Sequence, residues 1–110
     1  LYYKLGSFYN DMEKYDKAEN ILQKAVVYDP QSEESFIALG YTYFKLNKFN
    51  DGILQTNKAI LINPKSRLGY HYLANCYMGL NQKQKAMQAY NKLKTFDEDE
   101  AAILLEEIDN

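Results

Sequence analysis

Residues 36–43 read Phe36-Ile37-Ala38-Leu39-Gly40-Tyr41-Thr42-Tyr43, and the same chemistry returns 34 residues earlier and 34 residues later. At that interval Tyr2, Phe36 and Tyr70 fall in one column; Leu5, Leu39 and Leu73 in a second; Gly6, Gly40 and Ala74 in a third; Tyr9, Tyr43 and Tyr77 in a fourth. The register continues through Met12, Leu46 and Leu80, through Ala18, Gly52 and Ala86, through Ala25, Ala59 and Leu93, and through Pro30 and Pro64. A fixed period of this length marks a stacked array in which each unit buries its apolar face only against its neighbours.

Within one unit, Phe36, Leu39, Gly40 and Tyr43 stand at i, i+3, i+4 and i+7, which places them on one face of an amphipathic helix. Asn47 and Lys48 break that pattern, and a second helical run from Phe49 to Ile62 carries Ile53, Ala59 and Ile60 before Asn63-Pro64 stops it. Each unit is therefore a helical hairpin. Ser32 and Ser66, just after the prolines, are placed to cap the next helix by accepting a backbone N–H bond. The small residues Gly6, Gly40, Ala74, Ala18, Gly52 and Ala86 mark points where two helices approach closely.

These residues resemble the tetratricopeptide repeat family, whose pattern is W-x-x-L-G-x-x-Y, then A-x-x-x-F, then P, over 34 residues. Tyr2-x-x-Leu5-Gly6-x-x-Tyr9, Phe36-x-x-Leu39-Gly40-x-x-Tyr43 and Tyr70-x-x-Leu73-Ala74-x-x-Tyr77 match its first half, with Tyr or Phe replacing Trp. The resemblance covers residues 1–100 and implies an all-α fold: a right-handed α-solenoid of three tetratricopeptide helical hairpins plus a C-terminal capping helix. The divisions expected are repeat one at 1–32, repeat two at 33–66, repeat three at 67–100 and the capping helix at 97–110. Gly52 and Thr56 stand where the family implies Ala and an aromatic, so the second helix of repeat two has a thin packing face. An interior Gly there costs about 1 kcal/mol relative to Ala. Leu93 in a small-residue column and Glu98 in the proline column blur the end of repeat three.

Asp97 and Glu100 have capping-box spacing, and Ala101, Leu104, Leu105 and Ile108 give the last segment an apolar face. It reads as the helix that closes the array. No such cap precedes Leu1, and the chain opens without Met, so an excised or processed piece of a longer array is expected.

Composition supports this reading and narrows the function. Hydrophobic residues at 46% and charged residues at 25% are ordinary globular values, and only 2 prolines suit long helices. No run of 18 or more apolar residues occurs, and the opening lacks the charged-then-apolar order of a signal peptide, so direct membrane insertion is not expected. The compartment is left open, with the cytoplasm as the default. Residues 1–96 carry 13 basic and 8 acidic side chains, whereas residues 97–110 carry seven acids and no base. That basic excess falls short of the dense stripe that phosphate binding requires, and Lys24, Lys58 and Lys92 read as a solvated face rather than a phosphate ladder, so nucleic acid is not expected as a partner.

Catalysis needs convergent groups, and the inventory is poor. Cys76 is single, without a disulfide partner or Cys and His at zinc spacing, and reads as a small buried helical residue. His71 is also single and reads as a partly exposed polar residue. Gly-rich phosphate cradles are absent. The expectation is a non-enzymatic chain with no cofactor and no metal.

The surface with something to explain lies beside the core stripe. Ile37, Tyr41 and Phe44, at i, i+4 and i+7, form a second apolar stripe turned by about 100° from the first. The resemblance implies that first helices line a concave, partner-binding groove. The candidate groove residues are Tyr3, Asn10, Ile37, Tyr41, Phe44, Lys45, Leu68, His71, Asn75 and Met78, with the Asn side chains placed to hydrogen-bond a ligand backbone. Heat-shock co-chaperones of this family hold an acidic C-terminal peptide with Lys and Asn on these helices. The matching positions here are Tyr3, Ser7, Ala38, Leu68 and Tyr72, which form no such clamp. The expected partner is a protein or peptide with an apolar or amphipathic segment. A self-assembling homo-oligomer, joined through uncapped ends or opposite charges, and a docking arm of a larger protein are the alternatives.

Overall fold

Spacing of apolar side chains at three and four residues runs almost the length of the chain, and the computed structural model, which describes all 110 residues, is helical throughout. The helices are α1 (Tyr2–Asp11), α2 (Tyr15–Tyr28), α3 (Glu33–Lys45), α4 (Phe49–Ile62), α5 (Arg67–Gly79), α6 (Lys83–Lys94) and α7 (Glu98–Asp109). Consecutive helices pack as antiparallel hairpins, and α1, α3, α5 and α7 also touch in series, forming one layer of the solenoid.

Two kinds of turn alternate. Inside each hairpin one residue takes the left-handed conformation: Glu13 at φ 58°, Asn47 at 60° and Asn81 at 59°. The following amide then reaches back five residues, Lys14 N to Tyr9 O at 2.8 Å, Lys48 N to Tyr43 O at 2.8 Å and Gln82 N to Tyr77 O at 2.9 Å. This closes each first helix with a Schellman-type bond. Between hairpins the proline turns are held by their Asx residues: Asp29 Oδ1 accepts from Gln31 N at 3.2 Å and Asn63 Oδ1 from Lys65 N at 3.1 Å. Ser32 and Ser66 then cap α3 and α5 by accepting from Ser35 N and Gly69 N, both at 3.2 Å.

Close approach explains the small residues. A Cβ on Gly40 would lie 2.7 Å from Thr56 Cγ2, and one on Gly52 would lie 2.6 Å from Cys76 Sγ. The fully buried Cys76 thus fills the gap that Gly52 leaves between α4 and α5, and the thin face read at Gly52 is occupied from the next repeat. Thr56, in the aromatic column, is also buried and turns its hydroxyl onto Gly52 O at 3.0 Å and Ile53 O at 3.1 Å.

The apolar interior divides in two. One cluster joins α2 and α3 through Ala18, Leu22, Ala25, Ala38, Leu39 and Tyr43; the other joins α5, α6 and α7 through residues that include Tyr70, Leu73, Leu93 and Leu104. Each fully buried leucine contributes about 1.5–3 kcal/mol. The end of repeat three, which the sequence blurs, is a distinct turn over 95–97: Asp97 caps α7 by accepting from Glu100 N at 3.0 Å. No helix is long and apolar enough to cross a membrane.

Candidate functional site

The second apolar stripe of α3 needs neighbours to become a site, and α1, α5 and α7 supply them. Two adjoining cavities run along the layer of first helices. The first, of about 360 Å³, is lined by Tyr3, Ser7, Asn10 and Asp11 from α1, Glu34, Ile37, Ala38 and Tyr41 from α3, and Leu68 and Tyr72 from α5. The second, of about 500 Å³, is lined by Tyr41, Phe44, Lys45, Leu68, His71, Tyr72 and Asn75, and by Glu100 and Glu107 from α7. Tyr41, Leu68 and Tyr72 line both, so the two form one continuous trough. Cavities of this size are the usual form of a ligand site; the first is mainly apolar in its lining, and the second mixes aromatic and apolar side chains with Lys45, His71, Asn75, Glu100 and Glu107.

Aromatic rings set its floor. Tyr41 and Tyr72 lie with centroids 5.2 Å apart, and Tyr15 closes on the other side of Tyr41 at 6.4 Å. Lys45 holds its ammonium 5.7 Å from the Tyr41 centroid and 5.9 Å from that of Phe44, within cation–π range. Burial pushes the Tyr72 phenol above its ordinary value, with Tyr41 and the carboxylates of Glu100 and Glu107 acting in the same direction. Its O–H therefore stays protonated and available to donate at neutral pH.

Nine of the ten residues singled out in the sequence line the trough, but they do not all present free groups to it. Met78 lies instead against the C-terminal core cluster. Asn10 is buried and already engaged: its Nδ2 donates to Ala38 O at 3.4 Å and its Oδ1 accepts from Thr42 Oγ1 at 2.8 Å. Its amide ties α1 to α3 through Ala38 O and Thr42, whose single hydroxyl proton is shared between Asn10 Oδ1 and Ala38 O, each at 2.8 Å. Phe44 packs on Phe49 at the entry to α4, centroids 6.1 Å apart, and borders the trough with the rest of its ring.

His71 differs most from its reading as a partly exposed residue. It is 6% exposed, with Nδ1 2.6 Å from Glu100 Oε2 and Nε2 2.8 Å from Glu107 Oε1. The reason is α7: it folds back over α5, and Glu100 and Glu107, at i and i+7 on one helix face, bracket the imidazole. A neutral ring donates through one nitrogen only, so both bonds form together when both nitrogens carry protons. Glu100 also meets Arg67, Oε1 to Nη1 at 3.5 Å, instead of closing the capping box it is spaced for. The acidic final segment is thus a wall of the trough.

Absent from the ten candidates are the lining residues Ser7, Asp11, Glu34, Ala38, Tyr72, Glu100 and Glu107, of which Ser7, Ala38 and Tyr72 stand at the positions matched to the co-chaperone clamp. Tyr72 had a signal in its spacing, four residues beyond Leu68 on α5. The two glutamates had none, since their position depends on how α7 docks.

Comparison with known proteins fits this geometry. The fold is similar to the first tetratricopeptide domain of Spaghetti (RPAP3), solved bound to the HSP90 peptide SRMEEVD, at 23% identity and TM-score 0.89, over 98% of this chain and 87% of that one. It is also similar to the tetratricopeptide domain of Arabidopsis OM64, at 15% identity and TM-score 0.90, over 97% and 90% of the two chains. PcrH, solved in complex with the chaperone binding region of PopD, is 18% identical with TM-score 0.89, over 98% and 86%. At these identities the likeness establishes the fold. Among curated proteins, none matches the chain in sequence. The family model described as anaphase-promoting complex, cyclosome, subunit 3 matches residues 11–93, well over half of the chain. By that match and by its three hairpins, this chain belongs to the anaphase-promoting complex, cyclosome, subunit 3 family and is a tetratricopeptide-repeat domain.

Proposed function

We propose that this chain is a non-catalytic interaction scaffold whose trough holds an extended or helical segment of a partner protein through that segment's apolar side chains. The carrying observation is the continuity of the two cavities across Tyr41, Leu68 and Tyr72, which gives one path along α1, α3, α5 and α7. Rigid aromatic area with a polar tip is the usual anchor chemistry of an interface. Proteins of this fold at low identity carry bound peptides, which supports the reading. The first cavity presents Tyr3, Ser7, Ala38, Leu68 and Tyr72 at the positions matched to the Lys and Asn set of the heat-shock co-chaperones, so a purely acidic C-terminal peptide is a poor fit.

The test uses a display library of random twelve-residue peptides panned on the purified domain. The wild type should enrich sequences with apolar anchors. A variant carrying both Ile37→Glu and Tyr41→Glu should enrich none of them while keeping its helical circular dichroism. Equal capture by that folded variant would rule the trough out.

A second reading, association between copies, is favoured by the outer face of α1, where Leu5, Phe8 and Met12 are exposed in a row. Light scattering over a concentration series decides it: a constant mass of 12.9 kDa removes this reading.

A further inference from the structure

Charge is distributed unevenly along the trough. Lys45 lines the second cavity but not the first, and no Lys or Arg lines the first at all. The first cavity instead carries Asp11, at the end of α1, and Glu34, in the opening turn of α3. Neither carboxylate takes part in an ion pair or accepts a side-chain hydrogen bond, unlike Glu19, Glu100 and Glu107, which all have cationic or imidazole partners. Tyr3, Tyr41 and Tyr72 line the same cavity as the two acids, with the last two rings 5.2 Å apart.

We infer that the first cavity is a receptor for a basic side chain, an arginine or lysine set beside the apolar anchor of the bound segment. Three phenol rings and two unpaired carboxylates are the complement of a cation on an apolar stem. The methylenes lie along Ile37 and the rings, the charge is drawn to the Tyr3 ring, since Tyr41 already has the Lys45 ammonium 5.7 Å from its centroid, and the carboxylates accept its N–H donors. Guanidinium suits the cavity better than ammonium, since its plane stacks on a ring while its edge meets a carboxylate. The wall needs no rearrangement, because nothing within the protein neutralises either acid. The segment recognised is therefore basic and apolar together.

This inference rests on the trough being the binding surface, and the same panning separates the two claims. Wild-type protein should enrich peptides in which Arg or Lys accompanies an apolar anchor. Panning on a variant carrying Asp11→Asn and Glu34→Gln should enrich apolar anchors without that basic bias, and the best wild-type peptide should bind the variant about fivefold more weakly in fluorescence anisotropy, with the difference shrinking in high salt. Enriched peptides without basic residues, or equal affinity for the two proteins, overturn the cation receptor while leaving the trough standing, provided Ile37→Glu with Tyr41→Glu still abolishes capture. Peptides indifferent to both variant pairs, or no enrichment at all, overturn both claims.

Discussion

Gly52 and Cys76 share one space, and a double-mutant cycle measures it. Gly52→Ala adds helix propensity to α4, a gain of about 1 kcal/mol if nothing else changes. The added Cβ, however, would lie 2.6 Å from Cys76 Sγ and 3.3 Å from Gly40 O, and Cys76 is completely buried, with no free direction in which to retreat. Overpacking of this kind costs about 1–3 kcal/mol, so Gly52→Ala alone should leave the protein about 1 kcal/mol less stable. Cys76→Ala alone removes one buried heavy atom and should also cost about 1 kcal/mol. Combined, the two changes replace the sulfur with the new methyl group: the clash with Sγ disappears, the milder 3.3 Å contact with Gly40 O stays, and most of the propensity gain remains. The double variant should sit near wild-type stability, which gives a favourable coupling of about 2 kcal/mol. Urea unfolding followed by circular dichroism resolves this, because 1 kcal/mol moves the midpoint by about 0.5 M at a slope near 2 kcal/mol/M. Single effects that add to within about 0.5 kcal/mol, or a Gly52→Ala variant more stable than wild type, would refute the shared space.

Three further outcomes follow from particular side chains. Glu13 holds the left-handed position that Asn47 and Asn81 hold in the other hairpins; Glu13→Asn should stabilise by about 0.5–1 kcal/mol, seen as a rise of a few degrees in Tm, and an unchanged Tm would mean that the turn carries no strain. His71→Ala removes both bonds that fasten α7, so the amides of α7 should exchange with solvent at least tenfold faster while those of α3 keep their rates; equal protection of α7 would show that Leu104 and Ile108 hold it alone. Burial pushes the Cys76 thiol up to about 12 from an ordinary 9.0, so the unfolded chain releases this proton first. The associated stability is complete below pH 9 and is lost as pH rises toward 12, at about 1.4 kcal/mol per unit. Against Cys76→Ala as the reference, wild type should lose extra stability between about pH 9 and 11, and parallel pH profiles for the two proteins would contradict the shift.

What the sequence made legible was whatever repeats. Phe36, Leu39, Gly40 and Tyr43 announce a helix face because helical geometry imposes their spacing, and Ser32 and Ser66 announce helix starts because a hydroxyl there satisfies an otherwise free amide. The stripe of Ile37, Tyr41 and Phe44 was visible for the same reason. What stayed hidden depends on pairs with no periodic signature. Asn10 was read as a free amide, yet it bonds Thr42 across 32 positions. In the sequence His71 reads as partly exposed, because its partners Glu100 and Glu107 lie 29 and 36 residues away, on a helix whose acids suggest only a polar end. Charge counts along a chain say how many acids a segment has; docking decides which of them reach a site.

The divided interior has mechanical meaning. Between the α2–α3 cluster and the α5–α7 cluster the buried packing is made by Phe36, Ala59, Thr42, Thr56, Cys76 and the two glycines of α3 and α4, with Ile53 and Ile60 of α4 reaching the second cluster, and Gln55 Oε1 is buried on α4 without a partner. Small side chains let the backbones of α3, α4 and α5 approach closely here, so the two lobes meet across a tight joint and not a loose one. Tyr41 belongs to the lobe on one side and Tyr72 to the lobe on the other, and their rings form the floor of the trough. Any molecule seated on both rings therefore bridges the two lobes across that joint, so one ligand reads the relative placement of both halves of the solenoid as well as filling a groove.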